Sequence, residues 1–234
     1  MNVKMPKVKI RNAQLSDIAQ LRALEERVWK ETPASEEMLA SRIRNFPDGN
    51  IVAEIKGEKK IVGYTSMMFI KYDLSNPPLK TWAEFTDNGF CSNHRYDNPT
   101  LFGVNLSVDL NFQNQGVGTR LLAGGWDVAV SFNKPGCLLG ARCPEYHKYK
   151  DQMSIEEYVK KRHKDGKAFD PEIRLYERDG FKLITICPDY MHDEESCNYG
   201  IIMFCKNPLY NYPSIISYPV AKIIKRFGHH IFGF

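Results

Sequence analysis

Residues 101–118 constrain this chain more than any other stretch. Phe102, Val104, Leu106 and Val108 alternate with Gly103, Asn105, Ser107 and Asp109, and this period of two predicts a strand. Val117, Leu121, Leu122 and Trp126 then recur at helical spacing. Between strand and helix lies Gln113-Asn114-Gln115-Gly116-Val117-Gly118, a turn that runs straight into a helix N-terminus. The first N–H groups of a helix have no partner within it, and the helix dipole adds partial positive charge there. Glycine lets such amides approach a ligand closely. The stretch therefore predicts an anion site suited to a pyrophosphate, against the alternative of an ordinary strand-to-helix turn. It is not the G-x-G-x-x-G dinucleotide fingerprint, and no Lys-Ser/Thr pair follows the glycines as in a nucleotide-binding loop.

The rest of the chain reads as alternating elements. Val8 and Ile10 mark a first strand. Ser16 or Asp17 is placed to cap a helix carrying Ile18, Leu21, Leu24 and Val28, which ends at Trp29. Ser35 opens a second helix with Met38, Leu39, Ile43 and Phe46, stopped by Pro47-Asp48-Gly49. Residues 51–55 and 61–70 around Gly57 read as a hairpin. Residues 72–100 are a long insertion around Trp82-Ala83-Glu84-Phe85, expected to be an ordered lid or pocket wall because of its aromatic content. The helix from Gly116 is expected to reach about Phe132, and Cys137 to Arg142 reads as a short strand. Ser154-Ile155-Glu156-Glu157 has capping-box form and predicts a helix through about Lys164. Asp170-Pro171-Glu172 opens another, with Ile173, Leu175, Tyr176 and Arg178, ending at Gly180. Residues 181–187 and 199–205 read as the last strands.

Two stretches carry a family resemblance. Gln113-x-x-Gly116-x-Gly118 after an alternating strand resembles the Q/R-x-x-G-x-G/A acyl-CoA motif of the GNAT superfamily of N-acetyltransferases. Ile173 to Phe181, with Leu175-Tyr176-Glu177 and Gly180-Phe181, is similar to the helix before the sixth strand in that family. The resemblance covers roughly residues 6–206 and implies a single α/β domain: a mixed, mostly antiparallel, twisted sheet with helices on both faces. It implies acetyl-CoA as co-substrate, with the pyrophosphate on the loop and the pantetheine arm along the preceding strand. The implied binding set is Leu106, Ser107, Val108, Gln113, Asn114, Gln115, Gly116, Val117, Gly118 and Thr119. A narrower resemblance joins Thr81-Trp82 to Gly89, Gly140 to Tyr149, Met153 to Val159, Asp170-Pro171 and Pro188-Asp189-Tyr190. These are similar to GNAT domains fused to nitrilase-type carbon–nitrogen hydrolases and to GNAT-like domains of polyketide loading modules. The loading domains decarboxylate malonyl-CoA and rely on a Thr, a His and an Arg. Ala141, Tyr176 and Met191 stand at those places, which argues against decarboxylation.

Acyl transfer to an amine needs a polarised thioester carbonyl, a base for the amine and an acid for the leaving thiolate. Backbone amides around Leu106 and Val108 are placed to polarise the carbonyl. Tyr176 matches the family tyrosine beside the CoA sulfur, and a phenol suits an acid better than a base at neutral pH. Glu84, Asp109, Glu145 and His147 are candidate bases, and Glu84 is preferred because of its aromatic insertion; His147 and His163 otherwise read as structural. The implied activity is acyl-CoA-dependent N-acyl transfer in a ternary complex. The alternatives are S-acyl transfer to a carrier-protein phosphopantetheine, or acyl-CoA binding without catalysis.

Composition excludes little. The 234 residues suit one domain with additions, and 43% hydrophobic with 26% charged residues is ordinary for a globular chain. A net charge of +4 without a basic-aromatic array gives no reason to expect nucleic acid. The six cysteines show no C-x-x-C or zinc spacing, no metal is expected, and reduced thiols in a cytoplasmic protein are expected. Residues 207–234 fall outside the resemblance, as a basic amphipathic tail with Ile215, Ile216, Val220, Ile223 and Ile224 among Lys222, Lys225 and Arg226. Packing on its own domain or on the second subunit of a homodimer is favoured over a membrane surface, since a single amphipathic helix anchors weakly.

Overall fold

The computed structural model describes residues 7–213. The tail residues from Ile215 onward, with the expectations attached to them, lie outside the described residues. Seven strands form one sheet in the order β1-β2-β3-β4-β5-β7-β6. They are β1 Val8–Asn12, β2 Asn50–Ile55, β3 Ile61–Ile70, β4 Thr100–Val108, β5 Gly136–Ala141, β6 Lys182–Cys187 and β7 Gly200–Lys206. Every neighbouring pair is antiparallel except β4 with β5. This is the mixed, mostly antiparallel α/β architecture that the sequence predicts.

The helices are α1 Ile18–Val28, α2 Glu36–Asn45, α3 Trp82–Thr86, α4 Val117–Ser131, α5 Ile155–Lys160 and α6 Pro171–Arg178. The period-two pattern decides which strand residue meets which layer. Val52 and Tyr64 pack with Leu21, Leu24, Leu39 and Ile43 of α1 and α2. Ile51, Ala53 and Met67 on the opposite face pack with Val117 and Leu121 of α4. Burial of such side chains contributes roughly 1.5–3 kcal/mol each, which fixes both layers. Ile173 and Tyr176 of α6 join α4's face, against Leu139, Ala141, Ile201 and Met203. Phe85 of the insertion covers Phe102, Leu138 and Ile202 from the other side. Among the described residues no helix is long and apolar enough to cross a membrane.

Local signals hold where their chemistry is local. Ser35 accepts from Met38 N, Ser154 from Glu157 N, and Asp170 from Glu172 N and Ile173 N. The first helix departs from expectation: Asp17 accepts from Gln14 N and pairs with Arg11 at 2.7 Å, instead of capping α1 with its side chain. α5 stops at Lys160 rather than near Lys164, because Lys161 turns extended and Arg162 bridges to Ala168 across a turn at Gly166. The packed domain also continues past residue 206. Asn207 donates to Lys134 O and Leu209 packs on Val130.

Candidate active site

The site begins where two parallel strands part. β4 and β5 pair only over Leu101–Gly103 and Cys137–Leu139. Beyond Gly103, β4 pairs with β3 alone, through Asn105 to Val108. The β3–β4 register slips between Ser66 and Met67, which leaves Val104 as the extra residue of a bulge. The strand's other backbone edge therefore opens onto a cleft of about 1570 Å³. An unpaired strand edge is a ready template for an extended ligand.

At the end of β4 the chain turns through Asn114 at φ 57° and Gly116 at φ 75°, both left-handed, and α4 begins at Val117. Among the described residues no side chain caps α4, so its first amides are left for a ligand. A Cβ on Gly118 would come no nearer than 3.8 Å to Val108, so the approach to this helix end is open.

The cleft brings together most of the sequence-predicted binding set. Leu106, Val108, Gln113, Asn114, Gly116, Gly118, Thr119 and Tyr176 line it. Three side chains of the set do not. Ser107 is fully buried on the face of β4 that meets α1, where its hydroxyl donates to Glu25 Oε1 at 2.6 Å and accepts from Trp29 Nε1 at 2.7 Å. Val117 is 1% exposed in the core beneath α4. Gln115 folds back to donate to Asn111 O.

Glu84 is not in the cleft. It is exposed, and its carboxylate accepts from Thr81 N at 2.8 Å and Thr81 Oγ1 at 3.0 Å, closing a capping box on α3. Those bonds hold it below the usual carboxylate range, which makes it a poor proton acceptor. It borders a separate shallow hollow with Ala83, Asp87, Asn88 and Asn93. Asp109, Glu145 and His147 also lie outside the cleft: Asp109 caps a turn and pairs with Arg27, and His147 sits against two backbone carbonyls. The insertion is nonetheless a cleft wall. Trp82 donates from its backbone N–H to Tyr190 O and from Nε1 to Val104 O at the bulge.

Ionisable groups that face the cleft include Glu25, Arg42, Arg142, Glu172 and Tyr176, with Arg178, Asp179, Lys182, Asp189, Tyr190, His192 and Lys206 elsewhere in its lining. Glu172 and Tyr176 stand four residues apart on α6, which puts them on one face. Burial pushes the Glu172 carboxyl up to about 7, against the pull of Arg142. Burial also raises the Tyr176 hydroxyl well above its ordinary 10, with Glu172 adding to the rise, so it stays protonated at neutral pH. Arg142 is tied to Asp193 and Glu195 and lies 5.7 Å from the Trp29 ring centre. Sequence reasoning missed Glu25, Arg42 and Glu172. Glu25 and Arg42 sit within the apolar stripes of α1 and α2, and Glu172 precedes Tyr176 by one helical turn; those spacings are the signal.

No protein-family model matches the chain. It is 33% identical over 212 residues to the Bacillus subtilis (strain 168) protein named "Uncharacterized N-acetyltransferase YkwB", spanning 88% of this chain and 92% of that one. The chain belongs to the GNAT acyltransferase family. A second Bacillus subtilis relative, "Probable hydrolase YhcX", is 32% identical over 86% of this chain but matches in only 39% of its own length. Among solved structures, the loading GNATL domain of CurA from Lyngbya majuscula superposes with a TM-score of 0.75 at 24% identity, covering 86% of this chain and 98% of that domain. The GphF GNAT-like decarboxylase, solved with isobutyryl-CoA, gives 0.72 at 24% identity over 85% and 99%. At these identities the two structures speak to the fold.

Proposed function

We propose that this acyltransferase moves an acyl group, acetyl in the simplest case, from CoA to an amine by direct attack within a ternary complex. The observation that carries the reading is the parting of β4 from β5 above a helix N-terminus whose amides no side chain caps. The fit is physical: a negatively charged pyrophosphate suits the Gly116 turn, and an extended arm suits the open β4 edge. The GphF structure, solved with isobutyryl-CoA, supports an acyl-CoA in a cleft of this kind.

CoA supplies the activated thioester; the rest falls to side chains. Backbone N–H groups near Leu106 would polarise the thioester carbonyl. Glu172, pushed up to about 7, is matched to accept a proton from an amine at neutral pH and replaces Glu84 in that role. The amine nitrogen then attacks the carbonyl carbon, the C–S bond breaks, and the Tyr176 hydroxyl gives its proton to the departing thiolate. That Leu106, Val108, Gly116, Gly118, Glu172 and Tyr176 all line one cleft supports this division of roles.

The test is a mass-spectrometric search for acylated products with acetyl-CoA, run against amine and carrier-protein panels. N-acylated amines with stoichiometric CoA release are expected. Acylation of a carrier-protein thiol, release of carbon dioxide from malonyl-CoA, or CoA binding without any product would each refute N-acyl transfer.

A further inference from the structure

Arg42 is 2% exposed. Its Nε donates to Gly89 O at 2.7 Å, and its guanidinium carbon lies 5.9 Å from the Trp82 ring centre. Nη1 is buried with no hydrogen-bond partner, and no carboxylate among the described residues pairs with the side chain. Arg11 and Arg142, by contrast, each hold two carboxylates. A buried charge is ordinarily paired, because its desolvation otherwise goes uncompensated. Arg42 nevertheless lines the cleft beside Trp82, Thr65 and Val104.

The guanidinium is also held in place. A Cβ on Gly89 would meet Trp82 Cη2 at 2.8 Å and Arg42 Nη2 at 3.0 Å, so the fork is clamped between the Gly89 turn and the indole. Such pre-positioning is what a bidentate contact requires.

Position narrows the ligand. Trp82 fixes this corner to Val104 O at 3.0 Å, at the β4 bulge. Val104 precedes Val108 by four residues of strand, or about 13 Å, and the Gly116 turn lies beyond that. Arg42 is thus remote from the loop that suits phosphates. Glu25 and Glu172 line the same cleft and suit a cationic amine, whereas Arg42 offers the opposite charge, as do Arg142, Arg178, Lys182 and Lys206 elsewhere in the lining.

We propose that Arg42 is the recognition group for a carboxylate at the acyl end of the cleft, carried by the acceptor amine or by the acyl chain. This rests on the acyl-CoA reading above and narrows it to an amino-carboxylate acceptor or a dicarboxylic acyl group.

Two calorimetric arms separate the sources. In the first, malonate, succinate, β-alanine and L-glutamate are titrated against their carboxamide twins, with and without saturating CoA. In the second, malonyl-CoA and succinyl-CoA are compared with acetyl-CoA. At least one carboxylate is expected to bind about tenfold or more tightly than its neutral counterpart, since a site built for a polar group rejects analogues lacking it. Discrimination in the first arm assigns the carboxylate to the acceptor; in the second, to the acyl chain. Arg42→Met should reduce the preference to within about twofold while CoA still binds, and Arg42→Lys, the safer fold, should leave a preference between those of Arg42→Met and wild type. Absence of discrimination in both arms overturns the proposal, as does its survival in a folded Arg42→Met. Wild-type discrimination needs no variant, so misfolding cannot shield the idea. A wild type that fails to bind CoA sinks the parent reading alone, because the CoA-free titrations still test Arg42.

Discussion

Replacing Glu172 with glutamine separates a working base from an ordinary buried carboxyl. Glu172 stands in the first turn of α6, and its Oε1 accepts from Arg142 N at 3.1 Å. Burial raises its pKa from 4.5 to about 7; Arg142 opposes the rise, while Asp170 and Asp193 add to it. The folded value lies above the unfolded one, so the protonated carboxyl is the form that the fold favours. Its contribution is complete below 4.5 and is lost as pH rises through about 7. The rise corresponds to about 3 kcal/mol between the two limits, and about 2 kcal/mol of that falls between about pH 5.5 and about pH 8. Glu172→Gln carries no such loss. The stability difference should therefore move about 2 kcal/mol in the variant's favour across that interval, or about 4–8 °C in relative Tm for a chain of this size. Activity should move oppositely. Wild-type kcat/KM should climb with pH through about 7 as the base ionises, and Glu172→Gln should lower it about 10²- to 10⁴-fold without that limb. Paired thermal melts at the two pH values and a pH–rate profile make the measurement. A variant whose Tm difference from wild type is the same at both pH values would refute the raised carboxyl. A surviving pH limb would remove Glu172 from the proton transfer.

Three further outcomes follow from the same geometry. Tyr176→Phe keeps the ring and its edge contact with Phe181 but removes the proton donor, so kcat should fall about 10²-fold with CoA affinity little changed; a kcat within about twofold of wild type assigns the residue to packing alone. Gly118→Asp has room for its Cβ and brings a carboxylate to the anion site, so calorimetry should find CoA binding abolished in a folded protein; unchanged affinity defeats the phosphate assignment. Gly140→Ala would put a Cβ at an untenable 2.3 Å from the Tyr190 ring, which lines the cleft. It should destabilise by about 1–3 kcal/mol and raise acceptor KM more than the Kd for CoA, as checked by melts and steady-state kinetics.

Much of this fold is legible in the sequence because its signals are short-range. Alternation along Phe102 to Val108 needs only neighbours to be read, as do the caps at Ser35, Ser154 and Asp170. The same kind of signal explains why Glu84 lies outside the cleft. Thr81-x-x-Glu84 has capping-box spacing, and in the structure that spacing governs the carboxylate, whatever aromatic residues surround it. The Gln113–Gly118 turn carries its meaning locally too. The parting of β4 from β5 does not: it arises where Gly103 and Leu139, far apart in the chain, end their pairing.

The cleft's charges were the hardest part to read, for a definite reason. Helical periodicity marks a face as buried but does not say what meets it. Glu25 falls on the stripe of Leu21, Leu24 and Val28, and Arg42 on that of Met38, Leu39, Ile43 and Phe46. Each spacing announces a charge drawn into apolar surroundings. Whether that charge is compensated depends on residues far along the chain. Glu25 accepts from Asn105 and Ser107, eighty or more positions away, because α1 lies across β4 in a register that neither segment encodes alone. Asp17 is likewise buried, yet it is paired with Arg11 six residues before it. Arg42 has a carbonyl, an indole face and, among the described residues, no counter-ion. From the sequence these residues look alike, as ionisable groups on hydrophobic faces; only the packed sheet separates Glu25 and Asp17, which find partners, from Arg42, which among the described residues meets no carboxylate. Arg42 lies in the wall of the cleft, where a ligand can provide the carboxylate that the packed sheet does not.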